Sequence, residues 1–158
     1  MSNNHSKRNL ADVTVIVPAF NSADTILRAL RSIAGQTMVP REVILIDDGS
    51  SDDTYETALA SKGDLGLPHF KIIRQENKGA GAARNAGLRV ASYRIVAFLD
   101  ADDEWLPKKI ERSLEIFDGG EFVFVAHNGW VENQDGEKYL DIAARFRAAT
   151  PSLYHALY

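Results

Sequence analysis

The protein has 158 residues, of which 45% are hydrophobic and 25% charged, values typical of a single globular domain with a buried core. Its formal net charge is -4 and it has no long basic run, which argues against a nucleic-acid-binding protein. The absence of cysteine excludes disulfides and thiolate metal sites, and no apolar segment is long enough for a signal peptide or a transmembrane segment.

After a polar start, the hydrophobic pattern predicts strands that alternate with helices. Residues 1–12 are predicted to be a flexible tail. Dense apolar runs predict buried strands at Val13–Val17, Val43–Ile46, Phe70–Ile73, Ile95–Leu99 and Phe122–Ala126. Helical spacing predicts a helix after each of the first four strands. The first is capped by Asn21 or Ser22, and the second starts near Ser51. The third ends near Ala91, and the fourth runs through Phe117. Asp135-Gly136 predicts a hairpin turn.

Continuous apolar strands that alternate with helices favour a mainly parallel sheet covered on both faces, in a Rossmann-like three-layer α/β/α fold. Ligands of such sheets bind beyond the carboxyl ends of the strands. Polar or unusual residues follow three of the predicted strands: Pro18-Ala19-Phe20-Asn21, Asp47-Asp48 and Asp100-Ala101-Asp102. The sequence therefore predicts a binding site at this edge of the sheet.

The segment from Asp100 to Glu104 places four carboxylates within five residues. Two like charges about 4 Å apart repel by roughly 4 kcal/mol at an effective dielectric of 20, and a bound cation relieves such repulsion. Carboxylate oxygens suit Mg²⁺ or Mn²⁺. The alternative is an exposed acidic loop in which Asp103 or Glu104 caps the next helix.

The segment Asp47-Asp48-Gly49-Ser50 follows the second predicted strand. A carboxylate at a strand end can accept a hydrogen bond from a base N–H or a ribose hydroxyl, and glycine permits a tight turn with positive φ. The alternative is a simple turn in which Ser51, Asp52 and Asp53 cap the following helix.

The segment from Asn77 to Gly87 contains Gly79-x-Gly81 between a strand and a helix. A dinucleotide-binding motif is disfavoured, because Arg84 stands at the third glycine position and the segment follows the third strand. We expect small residues for close backbone packing and Arg84 as a fixed cation for phosphate or base. The alternative is a small-residue helix with Arg84 in a structural salt bridge.

Five segments together resemble the family 2 glycosyltransferases, which have the GT-A fold. They are VTVIVPAFN at 13–21, LRSIAGQT at 30–37, EVILIDDGSSDDT at 42–54, NKGAGAARNAGL at 77–88 and VAFLDADDEWLP at 96–107. They occur in the family's order over about residues 13–117. The resemblance implies a GT-A nucleotide-sugar-binding domain over residues 13–158, incomplete at its C-terminus and truncated before the acceptor and base region.

The resemblance also implies roles for single residues. Pro18, Ala19 and Phe20 would line the base pocket, and Phe20 stands where the family often has tyrosine. The implied donor-binding residues beyond these three are Asp47, Asp48, Arg84, Asp100 and Ala101. Asp102, with Asp100 beside it, would hold Mg²⁺ or Mn²⁺ on the diphosphate.

By the same resemblance, the protein transfers one sugar with inversion from a nucleotide-diphosphate sugar, with UDP-sugars favoured. The acceptor would be a saccharide or a lipid-linked hydroxyl in polysaccharide or glycolipid synthesis. The family places such proteins in the cytoplasm, where peripheral association with the inner face of the membrane is compatible with the sequence.

The catalytic general base is expected downstream of the acidic segment, in a region that this chain reaches only in part or not at all. Asp135, Glu137 and Asp141 are candidates by residue type alone, and a turn or surface role is favoured for them. Two alternatives stay open. One is a non-catalytic nucleotide-sugar-binding module, and the other is a sugar-phosphate nucleotidyltransferase, against which the lack of a glycine-rich basic loop after the first strand argues.

Overall fold

The computed structural model describes residues 9–118, 129–133 and 136–140. Its strands are β1 (Leu10–Ala19), β2 (Val39–Asp47), β3 (His69–Arg74), β4 (Ile95–Phe98), β5 (Gly129–Asn133) and β6 (Gly136–Leu140). Its helices are α1 (Ile26–Ala34), α2 (Thr54–Ser61), α3 (Ala80–Val90) and α4 (Lys109–Asp118). The chain divides into two compact units between Glu111 and Arg112.

The first unit contains a four-stranded sheet in the order β3-β2-β1-β4, in which every pair of neighbours is parallel. This confirms the predicted mainly parallel α/β architecture. The strands β2 and β3 lie on one side of β1, whereas β4 lies on the other side. The topological switch point therefore lies between β1 and β4, where sheets of this kind open a crevice at the carboxyl ends of the strands.

The core lies on both faces of β1 and β2, which explains the apolar runs Val15–Val17 and Val43–Ile46 within them. Every residue from Val13 to Ala19 is buried. On α1 the buried residues recur at helical spacing, at Ile26, Ala29, Leu30 and Ile33. The helix α3 approaches the sheet through Gly87, where a Cβ atom would lie 2.6 Å from Cγ2 of Ile16.

A buried charge ties the sheet together near the start of β3 and of β4. The carboxylate of Glu42 on β2 is 2% exposed and accepts hydrogen bonds from Thr14 Oγ1 (2.7 Å), Lys71 Nζ (2.7 Å), Ser92 N (2.8 Å) and Ser92 Oγ (2.8 Å). Burial by itself raises the pKa of Glu42, but these donors outweigh it and lower the pKa from 4.5 to about 2. The network joins β1, β2, β3 and the chain that leaves α3.

The first strand starts earlier than predicted. Residues 10–12, predicted to be tail, belong to β1, where Leu10 pairs with Val39. An ion pair of 2.6 Å between Arg41 Nε and Asp12 Oδ1 holds this polar end. Residues 1–8 lie outside the described residues.

Two predicted caps also differ from the structure. Neither Asn21 nor Ser22 caps α1, which begins at Ile26; Thr25 occupies the N-cap position and makes no side-chain capping hydrogen bond. The helix α2 begins at Thr54, later than predicted, and Asp53 before it makes no capping hydrogen bond.

The second unit contains β5 and β6, which pair as an antiparallel ladder with Asn133 opposite Gly136. An antiparallel pair at this point of the chain agrees with a hairpin, but Gly136, predicted in the turn, belongs to β6, and Asp135 lies outside the described residues. The predicted strand Phe122–Ala126 lies outside the described residues. Within the described part of the chain, none of the helices has the length and apolar character needed to cross a membrane.

Candidate functional site

An open cleft of about 240 Å³ lies at the carboxyl ends of β1, β2 and β4. Its lining comes from the segments that follow these strands and from the start of α3: Pro18, Ala19, Phe20, Ser22, Asp48, Ala80, Ala83, Arg84, Asp100, Ala101 and Asp102. The structure thus brings together all of the predicted site residues except Asp47. This cleft stands at the switch point of the sheet.

The ring of Phe20 stands at the edge of the cleft and is 49% exposed. The chain turns sharply after it, because Asn21 adopts the left-handed conformation (φ 48°). The Asn21 side chain accepts hydrogen bonds from Ser51 N (2.9 Å) and Ser51 Oγ (3.2 Å), and Ser50 Oγ accepts one from Asn21 N (3.0 Å). Asn21, predicted as a helix cap, instead fixes the turn that leaves Phe20 open to a planar ligand.

The loops that follow β1 and β2 are joined by further hydrogen bonds. Ser22 N donates to Thr54 Oγ1 (2.7 Å), and Ala23 N donates to Asp52 Oδ2 (3.0 Å). Asp52 Oδ1 accepts from Thr54 N (3.1 Å) and Thr54 Oγ1 (2.5 Å). Asp52 therefore serves both the start of α2 and the loop after β1, and the two loops hold each other in place.

Asp48 reaches the cleft, but its carboxylate is occupied by protein donors. Its Oδ1 accepts from Gln75 Nε2 (2.6 Å) and Lys78 N (3.0 Å), and its Oδ2 accepts from Gly79 N (2.7 Å). The side chain is almost completely buried. The next residue, Gly49, has the predicted positive φ (73°), and a Cβ atom there would lie 2.9 Å from the backbone nitrogen of Asn77, in the loop that leads into α3. Asp48 thus fixes the loop that leads into α3.

Asp47 is fully buried and does not line the cleft. Arg74 Nε lies 3.0 Å from its Oδ2, and Ser50 N donates to its Oδ1 (3.2 Å). Arg74 also donates to the carbonyl oxygen of Ser50 (2.5 Å). Because neighbouring side chains of a strand point to opposite faces, Asp47 points away from the cleft, and its contacts hold the loop that follows β2.

Arg84 and Asp100 meet within the cleft from opposite sides of the switch point. Arg84 Nη2 donates to Asp100 Oδ1 over 2.5 Å, and the two side chains are 35% and 47% exposed. The bond uses one of five guanidinium donors, so the cation stays available to an anionic ligand. Arg84 thus lines the cleft and also forms the salt bridge of the alternative interpretation, and its binding of phosphate or base stays a prediction.

The acidic segment after β4 forms a turn in which Asp103 N donates to Asp100 O (3.0 Å). Burial, and then the charges of Asp102 and Asp100, raise the pKa of Asp103, as expected for carboxylates crowded together. Within residues 9–118 and the two described strands beyond them, no three acidic, histidine or cysteine side chains converge as a metal site.

The two carboxylates at the cleft, Asp100 and Asp102, fit one kind of metal site. Mg²⁺ is commonly held by one or two carboxylates, with phosphate oxygens and waters completing its coordination. Asp102, with Asp100 beside it, provides that number of carboxylates at the cleft. The residues therefore suit a divalent ion that arrives with a diphosphate, and not one held by protein ligands alone.

Three lining residues were not predicted: Ser22, Ala80 and Ala83. Ala80, Ala83 and Arg84 have the spacing of one helix face, a signal that was present in the sequence. They place the N-terminal end of the 11-residue α3 at the cleft, where the helix dipole favours anions. Nothing in the sequence pattern indicates that Ser22 lines the cleft.

The sequence model of glycosyl transferase family 2 matches residues 14–153 of the chain. The Escherichia coli UDP-Glc:alpha-D-GlcNAc-diphosphoundecaprenol beta-1,3-glucosyltransferase WfaP is 35% identical over 123 residues, which cover 76% of this chain and 47% of that protein. The chain spans only 20–54% of the length of the curated relatives that it matches.

Two solved structures have a similar fold. S. aureus TarS 1-349 in complex with UDP-GlcNAc is 28% identical with a TM-score of 0.65, over 73% of this chain and 33% of TarS. The mannosyltransferase PcManGT from Pyrobaculum calidifontis, in complex with GDP-Man and Mn²⁺, is 30% identical with a TM-score of 0.62, over 66% of this chain and 31% of that one.

Proposed function

The chain belongs to glycosyl transferase family 2, and we propose that it is the donor-binding part of an enzyme. That enzyme moves a sugar from a nucleoside-diphosphate sugar to an acceptor hydroxyl. The observation that carries the proposal is the cleft at the switch point. There, the exposed ring of Phe20, the guanidinium of Arg84 and the acidic turn from Asp100 to Asp102 lie around one space.

The base and the diphosphate of the donor each have a partner of matching chemistry in the cleft. The ring of Phe20, beside Pro18 and Ala19, offers a stacking surface for the base. Arg84 and the N-terminal end of α3 offer positive charge to the diphosphate. A uridine base is favoured by the name of WfaP and by the UDP-GlcNAc bound to TarS, although the PcManGT structure contains a guanosine donor.

Asp102, with Asp100 beside it, is proposed to bind Mg²⁺ or Mn²⁺ together with the diphosphate. The PcManGT complex contains Mn²⁺ together with GDP-Man, which supports the use of a divalent ion with the donor. A bound divalent ion supplies positive charge for the diphosphate as the glycosidic bond breaks. Arg84 contributes to the same stabilisation, because its charge is already in place where negative charge develops.

The chemistry proposed is direct displacement with inversion at the sugar carbon. The acceptor hydroxyl must then lose a proton to a general base, usually a carboxylate. Asp135 and Asp141 lie outside the described residues, and Glu137 lies in β6, whose side chains are not described. The base is therefore not assigned to a residue.

The domain is proposed to begin with β1 at Leu10, and the acceptor region is proposed to lie outside the described residues.

The acceptor of WfaP, as its name states, is linked to diphosphoundecaprenol, which supports a saccharide or lipid-linked acceptor here. An enzyme with such an acceptor would work in the cytoplasm at the inner face of the membrane. The alternative is a module that binds donor without turning it over, because the described residues of the cleft are proposed to contact the donor alone.

The proposal is tested by calorimetric titration of the chain with uridine diphosphate, UDP-glucose, UDP-GlcNAc and GDP-mannose, each with and without Mn²⁺. Asp102→Asn is expected to remove the Mn²⁺-dependent gain in affinity, at least about tenfold or 1.4 kcal/mol, because a neutral amide is a much poorer ligand for a hard cation. Asp64→Asn makes the same charge change at an exposed position outside the cleft and should behave as the parent.

Equal affinity with and without Mn²⁺, in the parent and in Asp102→Asn, would remove metal-assisted donor binding. Hydrolysis of a labelled nucleotide sugar separates the enzyme from the binding module. Tight donor binding without any turnover, when acceptor saccharides are supplied, would favour the module.

A further inference from the structure

One side of α1 and of the turn that follows it carries three polar residues, each four positions after the last: Arg28, Ser32 and Gln36. Residues four apart in a helix lie on the same side. We call these three residues the polar stripe. It faces the acidic turn and the chain that continues from it to Ile110.

The first two residues of the polar stripe contact the acidic turn and its exit. Arg28 Nη2 donates to the carbonyl oxygen of Asp102 (3.3 Å), and Arg28 Nε lies 2.8 Å from Glu104 Oε1. Ser32 Oγ accepts a hydrogen bond from Trp105 N (3.1 Å). Both contacts of Arg28 are exposed to solvent and therefore weak. One of them, however, is made to the backbone of Asp102, the proposed metal-binding residue.

Gln36 makes the strongest contact of the polar stripe, since it is only 5% exposed. Its Nε2 donates to Leu106 O (2.8 Å) and to a carbonyl oxygen of α1, and its Oε1 accepts from Ile110 N (3.0 Å). The adjoining Thr37 N donates to Pro107 O (2.8 Å). Both amide donors and the amide oxygen of Gln36 are used, so its orientation is set.

These contacts run in order along the chain, since Arg28, Ser32 and Gln36 bind successive parts of the segment from Asp102 to Ile110. The stripe makes all but one of these contacts with backbone atoms. They therefore set the path of the segment whatever its side chains are. Such a restraint matters here, because the crowded carboxylates of the acidic turn repel one another and would otherwise spread apart.

We propose that the polar stripe, and Gln36 above all, positions the acidic turn so that Asp102 presents its carboxylate to a cation carried by the diphosphate. Gln36 is a positioning residue, since it acts through the backbone and contacts no ligand. The inference rests on the proposed function, and it adds that the metal-dependent part of donor affinity is set from α1, outside the cleft.

The test compares two probes on Gln36→Met, which preserves the length of the side chain but removes its hydrogen bonds. The probes are uridine diphosphate with and without Mn²⁺, and uridine monophosphate, which lacks the diphosphate. We expect Gln36→Met to lose about tenfold to a hundredfold of the Mn²⁺-dependent gain, the range for residues that orient metal ligands. Affinity for uridine monophosphate should stay unchanged, because the contacts of its base lie elsewhere in the cleft.

Ser32→Ala serves as a second variant. It removes the hydrogen bond from Trp105 N and one that Ser32 Oγ donates to Ala29 O within α1, and it should cost less stability than Gln36→Met. It should lose part of the same gain even where Gln36→Met does not fold. The matched control is Thr14→Val, which removes a buried hydrogen bond of the Glu42 network away from the polar stripe. It should lower the unfolding midpoint and leave the Mn²⁺-dependent gain intact.

Amide exchange provides a readout without ligand, since the amides of Trp105 and Ile110 should exchange faster in Ser32→Ala and Gln36→Met respectively. A folded Gln36→Met or Ser32→Ala with the full Mn²⁺-dependent gain would overturn the positioning role. An equal loss of the Mn²⁺-dependent gain in Thr14→Val would overturn the positioning role as well. Absence of any Mn²⁺-dependent gain in the parent chain would instead refute the proposed metal function, and the positioning role with it.

Discussion

At the scale of single residues, the aspartates at the strand ends differ in what surrounds them. Asp48 accepts three hydrogen bonds from the loop before α3, and Asp47 is held by Arg74 and Ser50. Asp102 instead stands exposed on a turn at the cleft. A carboxylate that is already satisfied by protein donors orders the site, whereas an exposed one is available to a cation.

The buried carboxylate of Glu42 makes the stability of the fold depend on pH. Its folded pKa of about 2 lies below the unfolded value of about 4.5, so its contribution is fully present above pH 4.5 and is lost as the pH falls toward 2. The shift corresponds to roughly 3 kcal/mol of unfolding free energy. We expect Glu42→Gln to be less stable than the parent at pH 7, with the difference shrinking between pH 4.5 and pH 2.

Urea denaturation of both chains at several pH values measures this difference. Asp64→Asn, which alters an exposed carboxylate, reports the pH dependence that comes from other groups. A stability difference between parent and Glu42→Gln that is constant from pH 7 to pH 2 would show that the hydrogen-bond network does not hold the charged form.

At the scale of elements, the position of α3 determines where Arg84 lies. The helix is held at its start by Asp48, through Gly79, and along its length by the approach of Gly87 to Ile16 on β1. Only a residue without a side chain permits that approach. The two contacts together place the guanidinium over the carboxyl end of the sheet.

A pair of glycine substitutions in α3 tests this packing. Gly87→Ala should lower the unfolding free energy by roughly 1–3 kcal/mol, because the new methyl group would overlap Ile16 in a close-packed core. Gly81→Ala, in the same helix but with no atom within 4 Å of the added Cβ, should be neutral or stabilising by up to about 1 kcal/mol. Chemical denaturation measures both, and equal effects would mean that α3 does not depend on a close approach at Gly87.

At the scale of the whole molecule, the chain carries a net charge of -4 and is proposed to bind an anionic donor. Because both are negative, the net charge of the chain cannot account for its affinity for the donor. Local positive charge must do so, and it comes from Arg84, the start of α3 and a divalent ion. These groups belong to segments that follow different strands. A ligand that contacts them all connects parts of the first unit that are distant in sequence.

Donor binding should therefore raise the resistance of the fold to heat. Uridine diphosphate with Mn²⁺ at 100 times its dissociation constant should add about 2.7 kcal/mol to the unfolding free energy, and the midpoint of thermal unfolding should rise with ligand concentration. Mn²⁺ alone should have little effect, because no three protein ligands converge in the described residues. An unchanged midpoint with both components at saturating concentrations would contradict binding to the folded state.

Much of the fold could be predicted because buried parallel strands require unbroken apolar runs. Val13–Val17 and Val43–Ile46 lie within β1 and β2 for that reason. Leu10–Asp12 were assigned to the tail, since their pairing depends on Val39 and on Arg41, residues that only the folded sheet brings close. The position of Asn21 was missed for a similar reason, because its partners come from the loop after another strand.

The sequence alone determined that the strands are parallel, that aspartates stand at or directly after their carboxyl ends, and that these aspartates meet at one edge of the sheet. These features follow from local pattern and from the shared direction of parallel strands. Only the tertiary structure decided that Asp47 turns inward while Asp48 holds a loop, that Arg84 pairs with Asp100 and that α1 holds the acidic turn. Each of these depends on which donors lie within hydrogen-bond distance, a property of residues far apart in the chain.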